Sequence, residues 1–169
     1  VHFGDSTSIT TATGLGPKFS SYAIIGDQKA YDANGGTFTD GAWRTRDLNT
    51  EFADDDGIVS ISSNQFTLQA GTYYIRVMAP AYKQARHFCK LQNMTDASLV
   101  SAGQVNYNGQ SESVQSTANL TCRVTIGAAK AFEVQHRGQN TEGTFGFGVA
   151  HTIGGFNTIY TIVEIFKEA

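Results

Sequence analysis

The sequence is poor in cysteine, proline and charged residues. Its 169 residues include two cysteines and two prolines, and only 16% are Asp, Glu, Lys or Arg. Two cysteines are too few for the disulfide-rich scaffolds of very small secreted domains. The net charge of −3 and the scattered Lys and Arg residues argue against a surface that neutralises nucleic-acid phosphates. We therefore expect no nucleic-acid partner.

Long hydrophobic runs are also missing. No segment approaches the roughly 20 apolar residues that cross a bilayer, so we expect no membrane insertion. The chain begins at Val1 without a charged segment followed by an apolar one, which predicts a mature or excised C-terminal piece of something longer. Residues 1–19 are rich in Gly and small polar residues, as in a linker or stalk remnant. Residues 20–169 are then the folded head domain.

Glycine and aromatic residues are plentiful. The chain holds 18 Gly, and 11% of its residues are aromatic. Short segments with a two-residue apolar period recur between turn dipeptides, and no helical period emerges. We predict a hairpin turn at Asp40-Gly41, strands near 86–93, 98–102 and 114–126, and a Gly-interrupted strand at 145–150. This pattern is typical of an all-β, antiparallel sandwich of about eight to ten strands.

Two of the predicted strands, residues 66–79 and 159–167, carry apolar side chains on both faces. The two-residue period places Tyr73, Ile75 and Val77 on one face of the first strand, and Ile159, Val163 and Ile165 on one face of the second. The opposite faces of the two strands carry Tyr74, Met78, Tyr160, Ile162 and Phe166. A sandwich strand buries one face in its own core, so the second face predicts contact with another chain.

The order of several segments resembles a known superfamily. Phe66, Leu68, Gly71, Tyr73 and Ile75 are followed by Phe132, Val134 and His136, then by a Gly-rich segment and a C-terminal aromatic and aliphatic strand. This order is similar to the jelly roll of tumour necrosis factor (TNF) and complement globular heads. The resemblance implies a TNF-like jelly roll that forms a homotrimer. The predicted trimer interface is Tyr74, Met78, Tyr160, Ile162 and Phe166.

Residues 37–49 and 91–96 look more like C-terminal head domains of phage tail or capsid fibres. This likeness implies a non-enzymatic head of a viral fibre or spike in the virion, assembled in the host cytoplasm. Its partners would be the rest of the fibre or virion and a host-surface glycan or protein receptor. Two alternatives stay open: a capsid decoration protein without an external ligand, and a secreted binding module of the TNF or complement-head type. A glycan depolymerase is a further hypothesis.

Polar loops are the predicted ligand contacts, because a rigid sandwich presents its loops at one end. The candidate segments are 32–40, 106–112 and 139–144. The candidate residues are Asn34, Trp43, Tyr107, Asn108, Gln139 and Asn140. Trp43 and Tyr107 have rings that could stack on a sugar, although the strand phase of Trp43 favours core packing.

Catalytic, metal and cofactor residues are not predicted. His2, His87, His136 and His151 lack a short ligand spacing, and the phase of His136 indicates a buried, hydrogen-bonded side chain. Asp54, Asp55 and Asp56 precede Gly57 as in a turn, with calcium as the alternative. We expect Cys89 and Cys122 to be reduced thiols, with a single disulfide between them as the alternative. No nucleotide-binding or nucleophile motif occurs. Asn93 and Asn119 begin glycosylation sequons that matter only in a eukaryotic secretory pathway.

Overall fold

Twelve strands, rather than the predicted eight to ten, build the described part of the chain. The computed structural model describes residues 18–169. In chain order the strands are β1 (Phe19–Lys29), β2 (Arg44–Thr45), β3 (Thr50–Ala53), β4 (Val59–Ser62), β5 (Gln65–Leu68), β6 (Gly71–Tyr82), β7 (Ala85–Asn93), β8 (Ser98–Ala102), β9 (Asn106–Asn108), β10 (Gln115–Ile126), β11 (Lys130–Gly138) and β12 (Thr158–Glu168). Residues 1–17 of the predicted linker, with His2, lie outside the described residues, and Phe19 already belongs to β1.

The strands form two antiparallel sheets, so the predicted all-β sandwich is confirmed. The first sheet has the order β10-β6-β12-β1-β3. The second has the order β4-β5-β11-β7-β8, with β2 added to β11 and β9 added to β7. Consecutive strands β6 and β7 lie in different sheets. The chain crosses between them at Lys83 and Ala85, which both adopt a φ of 54°, and this left-handed geometry sharpens the corner.

The core fills the space between the sheets. Tyr73, Ile75 and Val77 of β6 alternate inward and are at most 1% exposed. They meet the inward side chains of the second sheet, where the rings of Phe66 and Phe132 stack with centroids 5.5 Å apart. The two-residue period of a strand therefore places one apolar set of each sheet in a common interior.

Two predicted local structures are wrong. No hairpin forms around Asp40-Gly41, because Phe38 bridges to Glu142 and Arg44–Thr45 pairs with β11. Residues 145–150 form turns rather than a strand. The backbone of this segment closes onto residues 35–38 through hydrogen bonds, which include Gly35 N–H to the Gly148 carbonyl at 2.9 Å and Phe147 N–H to the Gly36 carbonyl at 3.0 Å.

A β-bulge in β12 overturns the predicted phase of Ile159 and Tyr160. The pairing with β1 passes from Gly26↔Ile162 to Gln28↔Ile159, so β12 carries one residue more than β1 over this step. Tyr160 consequently turns inward and is 4% exposed, while Ile159 turns outward and is 46% exposed. The expectation that Tyr160 lies on the outer face of the strand is therefore wrong.

The described residues contain strands and turns, and among them no helix is long and apolar enough to cross a membrane.

Candidate functional site

The outer face of the first sheet carries a cluster of aromatic side chains. The register places Tyr22, Phe166 and Tyr74 side by side on β1, β12 and β6. Phe19 joins them, with its ring 5.4 Å from that of Phe166 and 6.2 Å from that of Tyr74. Phe166 and Tyr74 are 6.3 Å apart. These rings lie on the side of the sheet that faces away from the core, and Tyr22 remains 50% exposed.

Apolar side chains extend this cluster along the sheet. Four residues before Phe166 on β12, Ile162 lies directly beside Met78 of β6. Between this pair and the aromatic cluster lie Ile24 and an ion pair, in which Arg76 Nη1 is 2.9 Å from a carboxylate oxygen of Glu164. We call the apolar members of this surface the assembly face. They are Phe19, Tyr22, Ile24, Tyr74, Met78, Ile162 and Phe166.

Four of the five predicted interface residues lie on the assembly face, namely Tyr74, Met78, Ile162 and Phe166. Tyr160 does not, since its hydroxyl donates a 2.7 Å hydrogen bond to the Ala33 carbonyl inside the fold. The prediction missed Phe19, Tyr22 and Ile24. Tyr22 and Ile24 have the correct two-residue spacing, and only the pairing of β1 with β12 reveals that they join the same surface.

Three of the predicted ligand-loop residues form hydrogen bonds with backbone groups of other segments. Asn108 is 2% exposed, accepts from the Gln84 backbone N–H at 2.6 Å and donates to the Ala81 carbonyl at 2.8 Å. Its expected place in an exposed loop is therefore wrong. Asn34 accepts from the Ala150 N–H at 2.9 Å. Asn140 donates to the Lys83 carbonyl at 2.7 Å, at the corner between the sheets.

The other three candidates surround one pocket on the outer face of the second sheet. The pocket has a volume of about 490 Å³, and its lining residues are Asp40, Gly41, Arg86, Phe88, Val105, Arg137, Gly138 and Gln139. We call it the arginine pocket. Tyr107 lies directly across from Arg86 in the register of β9 and β7. Trp43 packs edge-on against Phe88 with ring centroids 5.0 Å apart, so it is half-buried rather than a core residue.

A buried arginine ties the loop end of the sandwich together. Arg46 is 1% exposed and donates three hydrogen bonds. Nε reaches the Thr161 hydroxyl at 2.7 Å, Nη1 the Pro80 carbonyl at 3.0 Å and Nη2 the Phe147 carbonyl at 2.9 Å. Its guanidinium also lies 4.2 Å from the centre of the Phe147 ring. Burial lowers the pKa of Arg46 to about 10, which leaves it charged at neutral pH.

A histidine pair lies beside this arginine. His87 and His136 are fully buried, as predicted for His136. Burial lowers the pKa of His87 to about 4. Burial, with the positive charge of Arg46 and then His87, holds the pKa of His136 well below its usual value. Both imidazoles are therefore neutral at pH 7. Sequence phase indicates the burial of His136 but not its contact with His87, because the two residues belong to β11 and β7.

Solved structures of other proteins share this fold. No protein-family model matches the chain. No curated protein matches it. The globular domain of zebrafish complement 1qA superposes with a TM-score of 0.52 at 12% identity, over 87% of this chain and 96% of that domain. Murine APRIL at pH 5.0 gives a TM-score of 0.56 at 4% identity, over 87% and 98%. Murine APRIL at pH 8.0 gives 0.54 at 6% identity, over 87% and 98%. The fold is a complement-head and TNF-like jelly roll.

Reactive and metal-binding chemistry has little support in this jelly roll. Cys89 and Cys122 are free thiols, and burial raises the pKa of each to about 11, which suppresses the nucleophilic thiolate. Asp54 accepts hydrogen bonds from the N–H groups of Ile58 and Val59 at 2.8 and 2.9 Å, as in a turn. Within residues 18–169, no three His, Cys, Asp or Glu side chains are grouped to hold a metal ion.

Of the two glycosylation sequons, only one has an exposed asparagine. Asn93 is 6% exposed, and its amide donates to the Asp96 carboxylate at 2.9 Å. Asn119 is exposed on β10, directly across from Met78 on the outer side of the first sheet. Only Asn119 is therefore positioned to carry a glycan on the folded chain.

Proposed function

We propose that this chain is a non-enzymatic binding head that forms a homotrimer through the assembly face and stands at the end of a viral fibre. The observation that carries the trimer is the four-ring cluster on the outer side of a sheet whose inner side already fills the core. Burying one such ring stabilises a complex by about 1.5–3 kcal/mol. An aromatic cluster of this size on a sheet face is typical of a protein interface.

The assembly face also has the charge pattern of an interface between identical chains. Arg76 and Glu164 neutralise each other in the row between the two apolar groups. A second chain therefore meets a surface without net charge. In a ring of three identical chains each interface joins two different patches, and only residues close to the threefold axis meet their own copies, which a surface without net charge permits. The complement 1qA and APRIL structures share this jelly roll, the fold for which the sequence resemblance implies a homotrimer.

The states of the cysteines and of two histidines within residues 18–169 support a binding role over an enzymatic one. The thiols of Cys89 and Cys122 are protonated at neutral pH, and His87 and His136 are sealed between the sheets. The exposed aromatic and charged side chains of the second sheet instead favour recognition of a receptor or glycan on a host surface. A depolymerase remains testable, since it would release reducing ends from host polysaccharide.

Assembly inside a host cytoplasm is favoured by the two free thiols, because reducing compartments keep cysteines unpaired. The jelly-roll likeness itself fits the secreted binding module equally well. The secreted alternative predicts a glycan on Asn119, the exposed sequon. A decoration protein would form the trimer and bind nothing outside the particle.

Sedimentation of the chain tests the proposal directly. We expect a species of three times the 18.2 kDa chain mass at micromolar concentration. A monomer at every concentration would overturn the proposed assembly. Peptide mass mapping of the native protein distinguishes the placements, because a glycan on Asn119 supports secretion. A set of host-surface glycans and cells then separates a binding head from a decoration protein.

A further inference from the structure

The arginine pocket combines two cationic side chains with an aromatic floor. Arg86 and Phe88 are two residues apart on β7 and therefore share its outer side. Arg137 of β11 lies directly across from Phe88. Arg86 and Arg137 thus occupy diagonal positions on neighbouring strands, close enough for both guanidinium groups to reach one ligand.

Neither arginine has an acidic partner among residues 18–169, where every ion pair within 4.0 Å involves other cations. The contrast with the first sheet is clear. There Arg76 pairs with Glu164, and Arg123 pairs with both carboxylate oxygens of Glu168 at 2.7 Å. Two guanidinium groups without acidic partners repel each other when they occupy diagonal positions on neighbouring strands. An anion bound between them relieves that repulsion.

Two acids on this side of the molecule already accept hydrogen bonds from neutral donors. Asp40, which lines the pocket together with the two arginines, accepts a 2.8 Å hydrogen bond from the Thr141 hydroxyl. Glu133, on the same side of β11 as Arg137, accepts from Thr45, Gln65 and Gln135 at 2.8–3.0 Å. The fold thus holds the acids in place and leaves the guanidinium groups open to the pocket.

Aromatic surface completes the pocket. Phe88 forms part of its lining and is held by Trp43. Tyr107 is 67% exposed beside it, with the Arg86 guanidinium 6.0 Å from its ring centre. Exposed aromatic faces pack against the apolar C–H faces of sugar rings. Two neighbouring guanidinium groups can bind one carboxylate. A volume of about 490 Å³ suits a small organic ligand.

We propose that the arginine pocket binds a carboxylate-bearing sugar unit of an acidic glycan, with Arg86 and Arg137 on the carboxylate and Tyr107 and Phe88 against the ring. This inference rests on the proposed binding function and specifies its ligand. Two arginines match one carboxylate group and are too few for the row of phosphate contacts that a nucleic acid requires. The pocket lies on the opposite sheet from the assembly face.

The single tryptophan makes the site measurable. Trp43 contacts Phe88 and is the only Trp of the chain, so its fluorescence reports on the pocket. The probes are a glucuronosyl-glucose disaccharide, the methyl ester of the same disaccharide, and sodium acetate, with calorimetry measured in parallel. We expect the acid to bind, the uncharged ester to bind at least about tenfold more weakly, and added salt to weaken the acid. Equal affinity for acid and ester would overturn the role of the arginines, and equal affinity for acetate would overturn that of the ring.

Matched variants identify the residues. Arg86→Gln and Arg137→Gln should each weaken binding of the acid by about tenfold, and Tyr107→Ala should weaken it severalfold. Arg123→Gln removes an arginine of the other sheet and should leave affinity unchanged. A trimer that binds neutral glycans equally well in all variants overturns this site but keeps the binding head. A monomer that binds the acid through Arg86 and Arg137 keeps the site and overturns the trimer. Binding of none of the three probes, in fluorescence and calorimetry alike, overturns the inference.

Discussion

Nδ1 of His87 lies 3.0 Å from Nε2 of His136, and both rings are fully buried between the two sheets. One nitrogen of this contact donates and the other accepts, which two neutral imidazoles satisfy. His87 Nε2 lies 2.7 Å from the Ser116 hydroxyl, so the contact continues into the first sheet. The pair thereby links β7, β11 and β10, and burial together with the charge of Arg46 keeps both imidazoles neutral by lowering the pKa of each.

Acid should destabilise the fold through this pair. The pKa of His87 is about 4 in the folded chain against 6.5 when unfolded, so the unfolded chain binds more protons between these values. The contribution of His87 to the free energy of unfolding is therefore fully present above pH 6.5. It is lost as the pH decreases toward about 4, and the loss is about 3 kcal/mol. Denaturant unfolding across this range measures it.

Two variants isolate the histidine contribution. His87→Gln keeps a polar side chain and should flatten the slope between pH 6.5 and 4, whereas His151→Gln, at the surface, should not. Asp27 acts in the opposite direction because burial raises its pKa. The difference between variants is therefore the decisive quantity, and an unchanged slope in His87→Gln would contradict the prediction.

Replacement of Arg46 should loosen the loop end of the sandwich. Arg46→Leu leaves the Thr161 hydroxyl and the Pro80 and Phe147 carbonyls without their donor, at a cost of about 3–5 kcal/mol. Arg46→Lys should recover only part of this loss, since one ammonium group does not reproduce three separate donor positions. Thermal unfolding measures both variants. Equal stability of Lys and Arg at this position would show that charge alone matters.

Gly148 should resist substitution. Its φ is +138°, and a Cβ there would meet the Tyr160 ring. We expect Gly148→Ala to cost about 1–3 kcal/mol from the backbone conformation, with the steric contact in addition. Gly143→Ala, in the same loop region, adds a Cβ with no heavy atom within 4 Å. Comparison of their unfolding midpoints tests the contact, and two equal midpoints would refute it.

Phe166 and Tyr160 should respond differently to truncation. Phe166→Ala removes the central ring of the assembly face and should shift the trimer toward monomers in sedimentation, with a smaller effect on monomer stability. Tyr160→Ala leaves a cavity beside Gly148 and removes the hydrogen bond to Ala33, and should cost about 3–5 kcal/mol of folding stability. Tyr107→Ala, on the opposite sheet, should keep the trimer. An intact trimer in Phe166→Ala would place the interface elsewhere.

The alternation of side chains along each strand explains why the sequence predicts four residues of the assembly face. Tyr74, Met78, Ile162 and Phe166 are recognisable because strand geometry alone places them opposite the core residues of their own strands. Tyr160 fails because the bulge in β12 adds a residue, and a single added residue exchanges the two faces. Nothing local to residues 159–162 signals that bulge.

Arg46 shows a second limit of local patterns. Its three acceptors are 34, 101 and 115 residues away in the chain. A charged side chain is normally assigned to the surface, because burial is costly without partners. Here those partners exist only once β6, β12 and the 141–148 loop have come together. The arginine pocket has the same origin, since its residues come from β7, β11 and the segments around them.

The sequence by itself determined the all-β class, the alternation of core and outer side chains, and the excess of apolar surface on β6 and β12. These follow from neighbouring residues, since a strand's two faces are set by its own order of side chains. Only the tertiary structure decided which strands share a face, that Tyr160 turns inward, that His87 meets His136, and that Arg86 and Arg137 lie together without an acid. Those relationships depend on strand register and sheet order, which join residues that are distant in the chain.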